Sequence, residues 1–165
     1  MSVTIDTLRI HLDYTAWATG RLLDASAKLT DEEMTRDFGT ADRCVRDTLA
    51  HIFAADRVWL TRVQGQPPAT FLSAEEKNFE MLKTEWPALL ERWKAWLAPL
   101  TDADAGAKIA YKDLRGNAYQ QPLWQILLHV VNHGSHHRGQ VAGFLRAMGH
   151  TPPLLDLIAY YRSLS

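Results

Sequence analysis

The feature that most constrains the fold is a row of large apolar side chains between positions 79 and 97. These side chains recur every three or four residues, and they are Phe79, Leu82, Trp86, Leu89, Trp93 and Leu97. This spacing places all of them on one face of an α-helix, which has 3.6 residues per turn. A helix with such a face buries it against other helices, so the pattern predicts one member of a helix bundle.

Two helices with the same periodicity are predicted before this one. The first extends from Ile5 to Lys28, with its cap at Thr4 or Asp6. The second starts after residues 40–42 and ends at Gly65, because glycine readily adopts the left-handed conformation that closes a helix. The connection between these two helices is predicted to be a loop or a short turn.

The second half of the chain completes the bundle. Ser73 and Glu76 have the spacing of a capping box, which predicts that the third helix starts at Ser73. Residues 101–121 are predicted to form either a small hairpin or an ordered loop. The fourth helix is predicted from Pro122 to Gly149, since proline suits the first helical position. A short terminal helix is predicted from Leu155 to Ser163. The predicted fold is an all-α four-helix bundle in a single domain over residues 1–165.

The composition of the chain indicates where the protein is expected in the cell and which classes of partner are not expected. The formal net charge is −1, with 18 basic and 19 acidic residues, and no segment concentrates Lys and Arg, so a nucleic-acid ligand is not expected. No apolar run approaches the roughly 20 residues that span a bilayer, and no signal-peptide pattern is seen. The single cysteine, Cys44, excludes an internal disulfide. We therefore expect a cytoplasmic protein without membrane contacts.

A histidine cluster in the fourth helix carries the functional prediction. His133 and His137 are four residues apart, so both lie on one face of the helix and can hold one ion. His129 lies one turn before them on that face, whereas His136 points away and is expected to be exposed. His51, beside the apolar stripe of the second helix, is the best candidate for a third ligand because an inward imidazole there needs a partner. We predict a site formed by His51, His133 and His137.

A simpler interpretation stays open at this stage. Many histidine pairs at this spacing are surface groups or hydrogen-bonded core groups. The fourth helix also contains Gly134, Gly139 and Gly143, each of which costs about 1 kcal/mol relative to alanine inside a helix. These glycines indicate either close approach of another helix or room for a ligand. His129 and Asp47 are candidates for orienting the ligand imidazoles from outside the site.

Three neutral imidazoles would leave the charge of a divalent ion uncompensated. Such a site typically keeps an open position that activates either water or a thiol. Imidazole suits zinc, nickel and iron alike, so the residues leave the ion's identity open; zinc or nickel is our expectation. Other helical metal sites are excluded by the residues, because no histidine has a glutamate three positions earlier and no His-Glu-x-x-His segment occurs.

Beyond this reasoning, the chain resembles the DinB/YfiT-like family of helix-bundle proteins, which is distinct from the DNA polymerase of similar name. The fourth-helix segment is the most specific part of the resemblance. The matching segments are 14–17, 46–52, 132–140 and 152–160. The resemblance implies an antiparallel bundle with an unusual connection order, often dimeric, and a metal site on His51, His133 and His137.

Three functions emerge as hypotheses. Relatives implied by the resemblance include thiol-dependent S-transferases, so the leading expectation is metal-dependent transfer of a low-molecular-weight thiol to a small electrophile. The first alternative is metal-dependent hydrolysis of a small ester or amide. The second is a non-catalytic metal-binding protein of the stress response. A small-molecule substrate and a homodimer are expected partners.

Overall fold

Four long helices, three short helices and one hairpin make up the described part of the chain. The computed structural model describes residues 3–67, 69–70, 72–73, 76–113 and 115–165. In chain order the elements are α1 (Ile5–Ser26), α2 (Asp31–Thr35), α3 (Val45–Val63), α4 (Phe79–Leu97), α5 (Asp102–Gly106), β1 (Lys108–Lys112), β2 (Ala118–Pro122), α6 (Leu123–Ala147) and α7 (Leu157–Arg162). The predicted all-α bundle is confirmed.

The long helices pack in a ring. Helix α6 contacts both α3 and α1, and α4 contacts the same two helices from the opposite side. The successive long helices α1 and α3 therefore lie diagonally across the bundle. The apolar row predicted for α4 faces inward, and Trp86 and Trp93 are both fully buried. The inward rows of α3 and α6 meet in the same core.

Several predicted boundaries hold and have clear physical causes. Thr4 caps α1, since its side chain accepts from the backbone N–H of Thr7. Gly65 and Gly149 have φ angles of 67° and 87°, so each supplies the left-handed residue that comes after a helix end. Among the segments left open, residues 108–122 form an antiparallel hairpin in which Tyr111 pairs with Tyr119.

Other boundaries were wrong. The capping-box hydrogen bonds of Ser73 and Glu76 do form, but α4 begins only at Phe79, capped by the Asn78 side chain. Pro122 is the last residue of β2 and not the first of α6. The 30–39 connection contains the short helix α2, whose N-terminus is fixed by a capping box of Thr30 and Glu33. A capping box thus identifies a local turn but does not determine whether a long helix begins there.

The glycines of α6 do not mark close approach of another helix. A Cβ on Gly134 would lie 2.7 Å from Nη1 of Arg138, one turn later on the same helix. This glycine makes room for an arginine of its own helix. At Gly139 and Gly143 a Cβ would meet no atom within 4 Å among the described residues.

A buried carboxyl group lies in the centre of the bundle and was not predicted. Asp56 is 1% exposed; its Oδ2 accepts from Nε1 of Trp86 at 2.9 Å, and its backbone carbonyl accepts from Nε1 of Trp93 at 3.1 Å. Burial raises the pKa of Asp56 to about 7, against the opposing effects of the Trp86 hydrogen bond and of Arg138. The Trp86 indole donor and the raised pKa explain why a carboxyl group is tolerated there.

The raised pKa makes stability depend on pH. In the unfolded chain Asp56 loses its proton near pH 4, but the folded protein retains it until about pH 7, so raising the pH across this interval favours unfolding. We expect wild type to lose about 3 kcal/mol relative to Asp56→Asn between pH 5 and pH 8, because asparagine stays neutral. Urea unfolding of both proteins at the two pH values measures this. An unchanged difference would contradict the assignment.

Candidate metal centre

The three predicted histidines lie together in the structure, between α3 and α6. One nitrogen from each of His51, His133 and His137 falls within 4.8 Å of the other two. Nε2 of His51 is 3.0 Å from Nε2 of His133, and the ring centroids of His51 and His137 are 4.5 Å apart. The structure therefore places His51 beside the α6 pair, and metal binding by the three residues stays a prediction.

The helices impose this arrangement. His133 and His137 are separated by one turn on α6, with ring centroids 4.5 Å apart. Their neighbours Val130 and Val141 are buried against the core, as is Ile52 next to His51. Packing of these apolar residues brings the two helices together and leaves the three imidazoles at the margin of their contact. The His51 side chain is 33% exposed and that of His137 is 14% exposed, so the cluster is open to solvent on the α3 side.

A carboxylate lies behind two of the rings. Oδ1 of Asp42 is 3.8 Å from Nδ1 of His51, and Oδ2 is 3.5 Å from Nδ1 of His137. The same His137 Nδ1 is 2.6 Å from Oε1 of Gln140. Since both partners of that nitrogen can only accept, Nδ1 of His137 must be the donor. This tautomer leaves Nε2 of His137 with a free lone pair.

The loop before α3 holds Asp42 in place. Arg43 adopts a left-handed conformation with φ 63°, which is unusual for a residue with a long side chain. Its guanidinium donates twice to Oδ2 of Asp37, at 2.8 and 3.0 Å, and its carbonyl accepts from the N–H of Phe38. These contacts retain a backbone conformation that would otherwise be unfavourable. The turn they create directs Asp42 toward the histidines.

Asp47 and His129, the two residues predicted to orient the ligand imidazoles, form no hydrogen bond with them among the described residues. Asp47 lies at the start of α3 with its Oδ1 3.3 Å from Nε of Arg46, and the carboxylate beside His51 belongs to Asp42 instead. The ring of His129 lies 5.9 Å from that of His133, with no hydrogen bond between them among the described residues. As predicted, His136 is exposed.

The electrostatics favour the metal-binding, neutral form of His51 and His133. Burial lowers the pKa of His133 to about 3, and the neighbouring histidines act in the same direction. Burial also lowers the pKa of His51, although Asp42 opposes the effect. Neutral imidazoles offer lone pairs to a cation, whereas protonated ones repel it. Zinc lies about 2.0–2.1 Å from imidazole nitrogens, and one nitrogen from each of the three rings falls within 4.8 Å of the other two.

An aromatic wall borders the cluster toward the hairpin. The Trp59 ring packs edge-on against His129 at 5.2 Å and against Tyr111 at 5.0 Å. The guanidinium of Arg62 covers the Trp59 ring at 4.6 Å. Tyr119 stacks on Tyr111 at 5.8 Å and extends the wall. The hairpin thus contributes aromatic surface next to the imidazoles of α6.

Comparisons with known proteins agree with this architecture. The family model of the DinB family matches residues 1–164. The chain belongs to the DinB family. The chain is 22% identical over 156 residues to the protein named Protein DinB from Bacillus subtilis strain 168, with 90% of each chain covered. It also resembles the crystal structure of a DinB-like protein from Bacillus cereus ATCC 10987, at 25% identity and a TM-score of 0.65.

The structural relative matches most of both molecules. The superposition covers 93% of this chain and 99% of the Bacillus cereus protein. The DinB-like bundle and the predicted family resemblance are therefore confirmed. Among the described residues, no helix combines the length and the apolar character that crossing a bilayer requires.

Proposed function

We propose that this DinB-family protein is a metal-dependent enzyme that transfers a small thiol to an electrophilic substrate. The observation that carries the proposal is the convergence of three imidazole nitrogens within 4.8 Å at a solvent-accessible margin of the bundle. Zinc or nickel fits this donor set best, and iron fits it as well. A divalent ion held there would act as a Lewis acid that lowers the pKa of a thiol in its open position.

The surrounding residues have distinct tasks in this proposal. Asp42 and Gln140 fix ring orientation, because they accept from or face the Nδ1 atoms and leave the Nε2 atoms toward the centre of the cluster. The exposed side of His51 gives small molecules access. The Trp59–His129 wall offers an apolar surface for the organic part of the electrophile. In the transfer, sulfur bonds to the electrophilic carbon, the leaving group takes the bonding electron pair, and the thiol proton passes to solvent.

Metal binding is the first requirement of the proposal. We expect about one divalent ion per chain in wild type by elemental analysis, and substantial loss in His51→Ala, His133→Ala and His137→Ala, since each removes one of three ligands. His136→Ala is the matched control, because His136 adjoins the site in sequence but is exposed. Loss of metal in the control, or its full retention in the three ligand variants, would contradict the assignment.

Substitution of two acidic residues distinguishes orientation of the histidine rings from a general effect of negative charge on metal affinity. Asp42→Asn is expected to weaken zinc binding by about 10- to 100-fold, because the amide no longer balances the charge near the Nδ1 atoms of His51 and His137. Asp47→Asn removes the same charge from a nearby position that pairs with Arg46, and it should leave the affinity nearly unchanged. Competition titration with a chromophoric zinc chelator measures both. Equal weakening by the two variants would show that only net charge matters.

Turnover tests the reaction itself. A thiol of pKa about 8.5 is only about 3% thiolate at pH 7, so lowering that pKa to about 7 raises the reactive fraction more than tenfold. Zinc- or nickel-loaded wild type should therefore conjugate thiols to monochlorobimane at least about tenfold faster than His133→Ala, with His136→Ala as the active control. Fluorescence of the conjugate gives the rate.

The outcomes separate the rival functions. Equal rates for wild type and His133→Ala with every thiol tested would end the S-transferase proposal. Metal-dependent cleavage of an ester under the same conditions would favour the hydrolase, and tight metal binding without either activity would favour the non-catalytic protein. The homodimer, the cytoplasmic location and the single domain over 1–165 stay predictions.

A further inference from the structure

A cavity lies beside α6, away from the His51, His133 and His137 cluster. Its volume is about 610 Å³, and its walls come from α6, from Tyr14 of α1 and from the segment 152–157 that leads into α7. None of the three clustered histidines is among the described residues that line it. The cavity is therefore separate from the candidate metal centre.

The most unusual group in its lining is a buried arginine. Arg138 is 1% exposed and lines the cavity together with Ser135. Its Nη2 donates to Oγ of Ser135 at 3.1 Å, and its guanidinium carbon lies 5.4 Å from the Tyr14 ring centroid. Nε and Nη1 have no hydrogen-bond acceptor within the part of the chain that the structure describes. An unpaired buried guanidinium is costly, and its planar fork matches a carboxylate.

The nearest internal counter-charge does not satisfy these donors. Arg138 forms no salt bridge with Asp56 in the described structure, although the two charges interact, and Oδ2 of Asp56 accepts from Trp86. Asp56 therefore acts on Arg138 only across a distance. Nε and Nη1 of the arginine still need acceptors.

The position of the Arg138 guanidinium depends on a glycine one turn earlier in the same helix. The side chain of Arg138 folds back over the preceding turn, where Nη1 occupies the space that a Cβ on residue 134 would need. Any residue other than glycine at 134 would displace it. The absence of a side chain at Gly134 therefore leaves the space that the arginine occupies at the cavity wall.

The rest of the lining indicates the ligand's chemistry. Arg138 and Arg146 contribute two positive charges and Asp156 one negative charge, so a monoanion balances the cavity. The segment that contains Asp156 also contributes apolar lining residues, which are Pro152, Pro153, Leu154, Leu155 and Leu157. Charged groups together with an apolar lining favour an amphipathic monoanion over a small inorganic one.

We propose that this cavity binds a small monocarboxylic acid, whose carboxylate pairs with Arg138 and whose apolar body rests on the 152–157 segment. The site is independent of the metal centre and of the reaction proposed for it. Binding needs no residue of the histidine cluster.

Benzoate is the probe for this site. Titration of the full-length protein should move the Nε–H resonance of Arg138 and the amide resonance of Leu155 saturably in proton–nitrogen correlation spectra. Benzamide, the neutral analogue, should bind at least about tenfold more weakly, since it lacks the charge that strengthens hydrogen bonds to guanidinium. Arg138→Met should weaken benzoate binding by at least a similar factor.

A matched glycine pair keeps the test decisive if Arg138→Met does not fold. Gly139→Leu places a side chain in the cavity, whereas Gly143→Leu places the same side chain on the same helix outside the cavity lining. Neither Cβ would meet an atom of the described residues within 4 Å. Benzoate binding should weaken about tenfold or more in Gly139→Leu and stay within about twofold of wild type in Gly143→Leu. Absence of saturable shifts, equal binding of benzamide, or unchanged binding by Gly139→Leu would each overturn the proposal.

Discussion

The contact between α3 and α6 is the interaction on which the candidate metal centre depends. Ile52 on α3 and Val130 and Val141 on α6 are buried where the two helices meet. Packed helices typically lie 8–10 Å apart, a separation that an imidazole from each side can span. His51 and His133 do so with their Nε2 atoms at 3.0 Å. The apolar core therefore sets the geometry of the polar cluster, and loss of this packing would separate the ligands even if every histidine remained.

Helix α6 presents functional side chains on two of its faces, because successive residues are rotated by about 100° around the helix axis. His133 and His137 form one pair at a four-residue spacing, and Gly134 and Arg138 form a second pair displaced by one residue. The first pair joins His51, whereas the second places a guanidinium beside Tyr14 and the 152–157 segment. One helical segment thus positions metal-ligand candidates on one side and a buried cation on another. The short sequence 133–138 holds both sets of groups.

The sequence predicted the parts of the fold that repeat with the helix. The inward residues of α4 and the facing histidines of α6 are direct consequences of a period of 3.6. Gln140 comes three residues after His137, so the same periodicity could have placed it beside that ring. Glycines at helix ends were predictable in the same way, because their conformation is local.

Asp42 and Asp56 were missed for different physical reasons. Asp42 reaches the histidines only because the adjoining loop is held by Arg43 in a left-handed conformation, which periodicity does not describe. Asp47, the residue predicted for this task, has the helical spacing but not the position. Asp56 lies in the core because two tryptophans on α4 direct their indole donors at it, a tertiary pairing across 30 and 37 residues of sequence. Both depend on contacts between elements and not on the pattern within one.

The charge of the cluster argues for an anionic occupant beside a metal ion. Imidazole ligands are neutral and would not offset a charge of +2, and burial lowers the pKa of His133 to about 3. Asp42 contributes one carboxylate at 3.5 Å and 3.8 Å from the two Nδ1 atoms, which leaves about one positive charge at the margin of the bundle. A monoanion in the open position would complete the balance at the smallest desolvation cost. A thiolate supplies that charge and is also a donor that zinc and nickel accept readily.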